Sequence, residues 1–95
     1  MATTVGLLHL VFHVAQAESL KDKRRLVKGF KDRLASRCNV SVAEVDAQDN
    51  RWRAVLAVAM VGSDRQYVEG AMQKIANAAA AHRDMVLLEC RTEWL

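Results

Sequence analysis

Five basic residues recur at helical spacing early in the chain, and their side chains are the best suited in this sequence to bind a ligand. On a helical wheel of 100° per residue they form one stripe beside an apolar one, and at 1.5 Å per residue the stripe is about 15 Å long. The basic stripe consists of Lys21, Arg24, Arg25, Lys28 and Lys31. Such a row suits a line of nucleic-acid phosphates and would bind through counterion release without reading bases. The alternative interpretation is a solvated helix face.

The positive charge of the 95-residue chain is concentrated around this stripe. Residues 18–37 hold eight Lys and Arg against three acidic residues, a net charge of +5, and the rest of the chain carries −2. Cations near a helix N-terminus oppose the helix dipole at a cost of roughly a few tenths of a kcal/mol each. Helix stability alone would therefore not select them, and the distribution favours a surface role.

Lys23 falls inside the apolar arc of the same wheel, between Phe30 and Leu34. Because it lies in the opening turn, we expect its side chain to reach past the sheet edge and keep its charge in water. An ammonium beside the free N–H groups of a helix start is suited to an anion, so the sequence predicts an anion-binding site at Lys23. The alternative is that the lysine only covers apolar surface with its stem.

His9 and His13 are the histidines most suggestive of a metal site, because they lie four residues apart in one apolar segment. Four residues of strand span about 13 Å, which is too far for one metal ion to bridge. His82 is distant in sequence and has no nearby partner. We therefore expect no metal and no other cofactor.

Candidates for catalysis are equally weak. Glu44 and Asp46 are two apart on a predicted strand, which would place both carboxylates on one face as an acid/base pair. No nucleophile, histidine or glycine-rich loop is tied to them, and acidic residues on an edge strand more simply discourage aggregation. Cys38 and Cys90 are too few for a disulfide framework, which favours a reducing cytoplasmic compartment. We predict a non-enzymatic protein with no catalytic residues.

The elements that must position these residues follow from the hydrophobic periodicity. Strands are expected at residues 4–15, 39–47, 52–61 and 85–93, and Ser19 and Ser63 are expected to cap two intervening helices, each in a capping-box pattern. The order β-α-β-β-α-β predicts one α+β domain over residues 1–95 with a ferredoxin-like fold. That fold is a four-stranded antiparallel sheet with both helices on one face.

Such a fold leaves one face of the sheet uncovered. If the even-numbered residues of the first strand face the helices, His9 and His13 lie on the open face. Strand three would add Val55, Ala57, Ala59 and Val61. A face this apolar favours burial against a second copy, so we expect a homo-oligomer. RNA binding on this face would need aromatic residues on the central strands, where only the two histidines could stack.

Two long runs of this sequence carry a family resemblance that covers nearly the whole chain. The runs are SLKDKRRLVKGFKDRL and NVSVAEVDAQDNRWRAVLAVAMVGSDRQYVEGAM. They resemble the YlxP-like proteins, a bacterial family of unknown function. The resemblance implies a ferredoxin-like fold and a gene setting often among translation and ribosome-maturation genes, and it implies no catalytic residues. This chain has Asp46-Ala47-Gln48-Asp49 where many relatives are expected to have a Gly-His-Gln-Asp-like segment.

Two hypotheses about function follow. The first is a non-enzymatic protein that binds structured RNA or a ribosomal particle through the basic stripe. The second is a small oligomeric module that binds a metabolite or a protein partner through its sheet face. A membrane partner is not expected, because the longest apolar run, residues 54–61, is far shorter than a membrane span.

Overall fold

A computed structural model describes residues 2–95, which form one four-stranded antiparallel sheet and two helices. The elements are β1 (Thr4–His13), α1 (Leu20–Arg37), β2 (Ser41–Asp46), β3 (Arg53–Gly62), α2 (Arg65–Ala80) and β4 (Val86–Trp94). The strand order across the sheet is β2-β3-β1-β4. This is the predicted ferredoxin-like α+β fold.

The two central strands, β1 and β3, pair along their full length, from Thr4 opposite Gly62 to His13 opposite Arg53. The edge strands are less regular. The register shifts once in β2, between Glu44 and Asp46, and the β1–β4 pairing shifts once beside Val11. An extra residue in a strand reverses which face the following side chains occupy, so these bulges decide where the edge residues point.

The core lies between the helices and one face of the sheet. Alternate residues of the central strands enter it, as the period of two in a strand requires. The fully buried strand residues include Leu8, Leu10, Phe12, Ala54, Leu56 and Val58. From the helices, α1 adds Val27, Phe30 and Leu34, and α2 adds Val68, Met72, Ile75 and Ala79. The expectation that the even-numbered residues of β1 face the helices is confirmed.

The helix starts confirm one predicted cap and correct the other. Ser19 caps α1, and its side chain accepts a hydrogen bond from the N–H of Asp22. The second cap is Asp64 rather than Ser63, because the Asp64 carboxylate accepts from the N–H of Gln66. Both residue types are good N-caps, and a carboxylate also interacts favourably with the positive end of the helix dipole.

The strand ends differ from the predicted ones by one or two residues. β1 ends at His13 rather than at residue 15, and the backbone N–H of Val14 then donates to the carbonyl of Trp52 at 2.8 Å. This bond holds the end of β1 against the start of β3. Apolar residues continue beyond the strand because Val14 and Ala17 are themselves buried in the loop that leads to α1.

Candidate functional site

The basic stripe lies on α1, on the side of the helix turned away from the core. Four of its members, Lys21, Arg24, Arg25 and Lys28, are exposed, and Lys31 is half-buried. Lys28 has an intrahelical partner, since its ammonium lies 2.6 Å from the Asp32 carboxylate. Exposed pairs of this kind contribute little and are easily exchanged for other partners. The stripe therefore offers a row of accessible cations, as the wheel predicts.

Lys23, the predicted anion site, is placed differently from that expectation. Its side chain is fully buried, and its ammonium lies 2.8 Å from a carboxylate oxygen of Glu44. The ammonium also donates to the carbonyl oxygens of Ala47 at 2.7 Å, Asn50 at 2.8 Å and, more weakly, Gln48 at 3.4 Å. An ammonium has three protons, and these acceptors use all of them. Lys23 is therefore not available to an external anion.

The lysine instead joins the start of α1 to the turn between β2 and β3. Burying a charge is costly unless it is paired and hydrogen-bonded, and both conditions are met here. Ala47 has a left-handed backbone with φ of 57°, which is unusual for a residue with a side chain. The turn thus directs carbonyl oxygens of Ala47, Gln48 and Asn50 toward one ammonium. Sequence reasoning recognised that Lys23 is misplaced on the wheel, but its partners lie 21 to 27 residues away in the chain.

Arg51 forms a second link between the same two regions. Its Nη1 donates to the carbonyl of Glu18 at 2.9 Å, just before α1 begins. Its guanidinium also lies 4.4 Å from the centre of the Trp52 ring, a cation–π contact. Together with Lys23, the hydrogen bond from Arg51 to Glu18 holds the β2–β3 turn against the first turn of α1. These contacts fix the N-terminal end of α1, and with it the first residues of the basic stripe, against the β2–β3 turn.

Glu44 and Asp46 do not form the carboxylate pair that their spacing predicts. Glu44 lies opposite Leu56, and Asp46 lies opposite Val55, because Val45 is an extra residue in β2. Neighbouring residues of β3 face opposite sides of the sheet, so the two carboxylates do as well. Glu44 points toward the helices and Lys23, whereas Asp46 is exposed.

A groove of about 700 Å³ lies between α1 and α2, and sequence reasoning did not identify it. We call it the interhelical groove. Apolar residues that line it are Leu26, Phe30, Leu34, Ile75 and Ala78, and cations around it are Arg25, Arg33, Arg37, Lys74 and Arg83. The α1 cations that line it, Arg25, Arg33 and Arg37, are spaced by eight and four residues on one side of the helix, a signal visible in the sequence. Their meeting with Lys74 and Arg83 depends on how the two helices pack.

His82 closes one end of the interhelical groove. Its Nδ1 accepts hydrogen bonds from the backbone N–H groups of Asp84 at 3.0 Å and Met85 at 3.1 Å. Its ring meets that of Phe30 edge-on, with centroids 5.7 Å apart. Burial lowers the pKa of His82, the nearby Arg33 lowers it further, and Asp84 partly opposes them. The imidazole is therefore neutral at pH 7 and acts as the cap of the turn after α2.

The open face of the sheet has the composition that the sequence predicts. In the β1–β3 register, His9 lies opposite Ala57, Val11 lies opposite Val55, and His13 lies opposite Arg53. His9 Nδ1 is 4.0 Å from a carboxylate oxygen of Glu93 on β4. Across residues 2–95, no three His, Cys, Asp or Glu side chains converge as potential metal ligands.

The helices also bear on the question of a membrane. Neither helix within the described residues combines the length and the apolarity needed to cross a lipid bilayer. Both are instead amphipathic, with one side in the core and the other side charged or polar.

The order of the helices and strands defines the class of the protein, a small ferredoxin-like α+β domain. The chain belongs to the family described as "Protein of unknown function (DUF503)", whose sequence profile matches residues 5–92. It is similar to "Uncharacterized protein YlxP" from Bacillus subtilis (strain 168), with 31% identity over 90 residues that cover 95% of this chain and 98% of that protein. The resemblance to the YlxP-like family is confirmed.

Proposed function

We propose that this protein binds structured RNA through the basic stripe of α1 and carries out no chemistry itself. The observation that supports the proposal is the exposure of Lys21, Arg24, Arg25 and Lys28 along one side of a helix whose other side is in the core. These residues oppose the helix dipole and take no part in the core, so packing does not account for them. A ribosomal particle is the structured RNA that the family resemblance favours.

The physical basis of the binding would be neutralisation of phosphates. A stripe of about 15 Å spans a few consecutive phosphates along one edge of an RNA helix. Each phosphate that is neutralised releases condensed counterions, so affinity is strong at low salt and falls steeply as salt rises. The interaction would recognise the shape and charge of the RNA more than its sequence. The anchoring of α1 by Lys23 and Arg51 would keep the stripe in place.

A charge-reversal experiment tests this proposal. The probe is a labelled RNA duplex of about 16 base pairs, long enough to offer two successive minor grooves. The test variant is Lys21→Glu/Arg24→Glu, which leaves Arg25 and the interhelical groove intact. Loss of two phosphate contacts and the added repulsion should weaken binding by about tenfold or more at low salt.

The matched control is Arg53→Glu/Arg91→Glu, which changes the net charge equally but lies on the sheet. Arg53 and Arg91 are opposite His13 and His9, so both belong to the open face. We expect this variant to bind the duplex within about twofold of the wild type, because its phosphate contacts are intact. If the control loses affinity and the helix variant keeps it, RNA binds on the sheet face and the proposal is wrong.

The second candidate function is that of an oligomeric module that pairs through the open sheet face and binds a metabolite or protein partner there. It is favoured by the apolar residues of that face, which no helix covers; Val61, for example, is 58% exposed. Sedimentation at micromolar concentration tests it. A dimer that Ala57→Glu converts to a monomer would support paired sheets, whereas a wild-type monomer would remove their basis.

A further inference from the structure

The interhelical groove combines two properties that the proposed RNA interface does not explain. Its lining includes accessible apolar side chains, Leu26 and Ala78, above the nearly buried Phe30, and its surroundings are strongly cationic. Asp84 is the single carboxylate among the described residues that line it, against five Lys and Arg. Lys21, Arg24, Lys28 and Lys31 are not part of it. Arg25 is the one member of the basic stripe that also lines the groove, so the groove adjoins the stripe along α1 but otherwise uses different residues.

The length and the walls of the groove restrict what can occupy it. Arg25 and Arg37 both line it and are twelve residues apart on α1, which corresponds to about 18 Å along the helix. The long walls are the helices α1 and α2, whose interior backbone N–H and C=O groups are already paired internally. An extended peptide would find no backbone partners here, whereas a helix brings its own hydrogen bonds satisfied.

Gly29 also lines the groove and lies midway between Arg25 and Arg33 along α1. A Cβ built on Gly29 meets no atom within 4 Å, so neither packing nor backbone conformation requires glycine at this position. Glycine inside a helix costs about 1 kcal/mol relative to alanine. On α2, Ala78 also lines the groove with a small side chain. Small residues on two facing helices allow the side-chain ridge of a third helix to approach closely.

We propose that the interhelical groove docks an acidic amphipathic helix of a partner protein. The apolar stripe of that helix would rest between Gly29 and Ala78, and its flanking Glu and Asp side chains would pair with Arg25, Arg33, Arg37, Lys74 and Arg83. An RNA strand fits the groove less well, because Phe30 is only 2% exposed and the half-buried His82 is the one other aromatic ring among the residues that line it.

The test uses two labelled peptides of about 15 residues, both acetylated and amidated, and both made of the same Leu, Ala and Glu residues. In one, the leucines form a single helical stripe; in the other, the same residues are scrambled around the wheel. Fluorescence anisotropy measures binding to the full-length protein. The striped peptide should bind at least about tenfold more tightly than the scrambled peptide, because only it can bury its leucines while its carboxylates face the cations.

Gly29→Leu is the decisive variant. Leucine is a good helix former and has open space here, so α1 should fold at least as well as in the wild type. The new side chain projects into the groove from an exposed position that lines it and should weaken binding of the striped peptide by about tenfold or more. Lys21→Glu/Arg24→Glu, which lies outside the groove, should leave the affinity for the peptide within about twofold.

Three results would overturn the inference: equal binding of the two peptides, no saturable binding of the striped peptide, or unchanged binding after Gly29→Leu. Loss of duplex RNA binding after Gly29→Leu, with peptide binding unaffected, would assign the groove to RNA and would likewise overturn it. Because the RNA proposal is tested by residues outside the groove, either proposal can fail while the other stands.

Discussion

At the residue scale, the fate of Lys23 shows how a charge that looks functional in the sequence becomes part of the fold. Its ammonium is fully buried and is paired with Glu44 and with carbonyl oxygens of the β2–β3 turn. The sequence predicts an external anion at this lysine, whereas in the structure its negative partner is the Glu44 carboxylate. The charge of Lys23 thus stabilises the packing of the start of α1 against β2 and the β2–β3 turn.

Replacement of Lys23 by methionine tests this role. The variant keeps most of the side-chain volume but leaves the Glu44 carboxylate, which is mostly buried, and the turn carbonyls without their partner. Removal of one member of a buried pair costs about 3–5 kcal/mol, so we expect the free energy of unfolding to fall by that order. Urea denaturation measures it. Lys21→Met, at an exposed position of the same turn, should change stability by less than about 0.5 kcal/mol; equal effects of the two variants would contradict the assignment.

His82 provides a second test at this scale, because burial and Arg33 lower its pKa below the ordinary 6.5. The unfolded chain then binds a proton more readily than the folded one as the pH falls below 6.5, so the stability that neutral His82 contributes is lost in that range. His82→Asn retains an acceptor for the turn but does not titrate. We expect the stability advantage of the wild type over His82→Asn to shrink as the pH is lowered from 7.5 to 5.5. A difference that is independent of pH would rule out this origin.

At the element scale, α1 and the β2–β3 turn behave as one structural unit. Lys23 and Arg51 connect them at three carbonyls of the turn and at the backbone of Glu18. Ala47, whose carbonyl accepts a hydrogen bond from Lys23, has a left-handed backbone conformation in this turn. The unit fixes the end of the helix that carries the basic stripe and one wall of the interhelical groove, the two surfaces for which binding is proposed.

The strain at Ala47 can be relieved by glycine. A left-handed conformation costs a residue with a Cβ about 1–2 kcal/mol, so Ala47→Gly should raise the stability by about 1 kcal/mol after the larger entropy of the unfolded chain is counted. Thermal or urea denaturation measures the change. Ala43→Gly in the middle of β2 is the matched control and should lower stability by about 0.5–1 kcal/mol. The same sign for both variants would contradict the role given to Ala47.

At the scale of the whole molecule, the order of the elements and the core-facing residues could be predicted because strand and helix periods are local. Leu8, Leu10 and Phe12 are buried as their alternation predicts. Features that depend on distant partners could not be predicted. The ion pair of Lys23 requires Glu44, which is 21 residues away, and the bulge at Val45 reverses Asp46 without any marked sequence signal. The interhelical groove arises only when α2 packs beside α1.

The whole-molecule arrangement also separates three surfaces by their chemistry. The basic stripe of α1 carries exposed cations. The interhelical groove combines cations with apolar lining residues, and the open sheet face is mainly apolar along β1 and β3. An apolar sheet face that no helix covers is expected to be used for association. If both proposals hold, RNA on the basic stripe and a second copy on the opposite sheet face would bind at the same time.

The salt dependence of RNA binding tests the central claim most directly. Five phosphate contacts predict that the logarithm of the affinity falls with the logarithm of salt concentration with a slope of about −4, and the Lys21→Glu/Arg24→Glu variant should reduce that slope by about 2. Titration of the duplex at a series of salt concentrations gives both slopes. Absence of binding at low salt, or the same slope for both proteins, would contradict the assignment of RNA to the basic stripe.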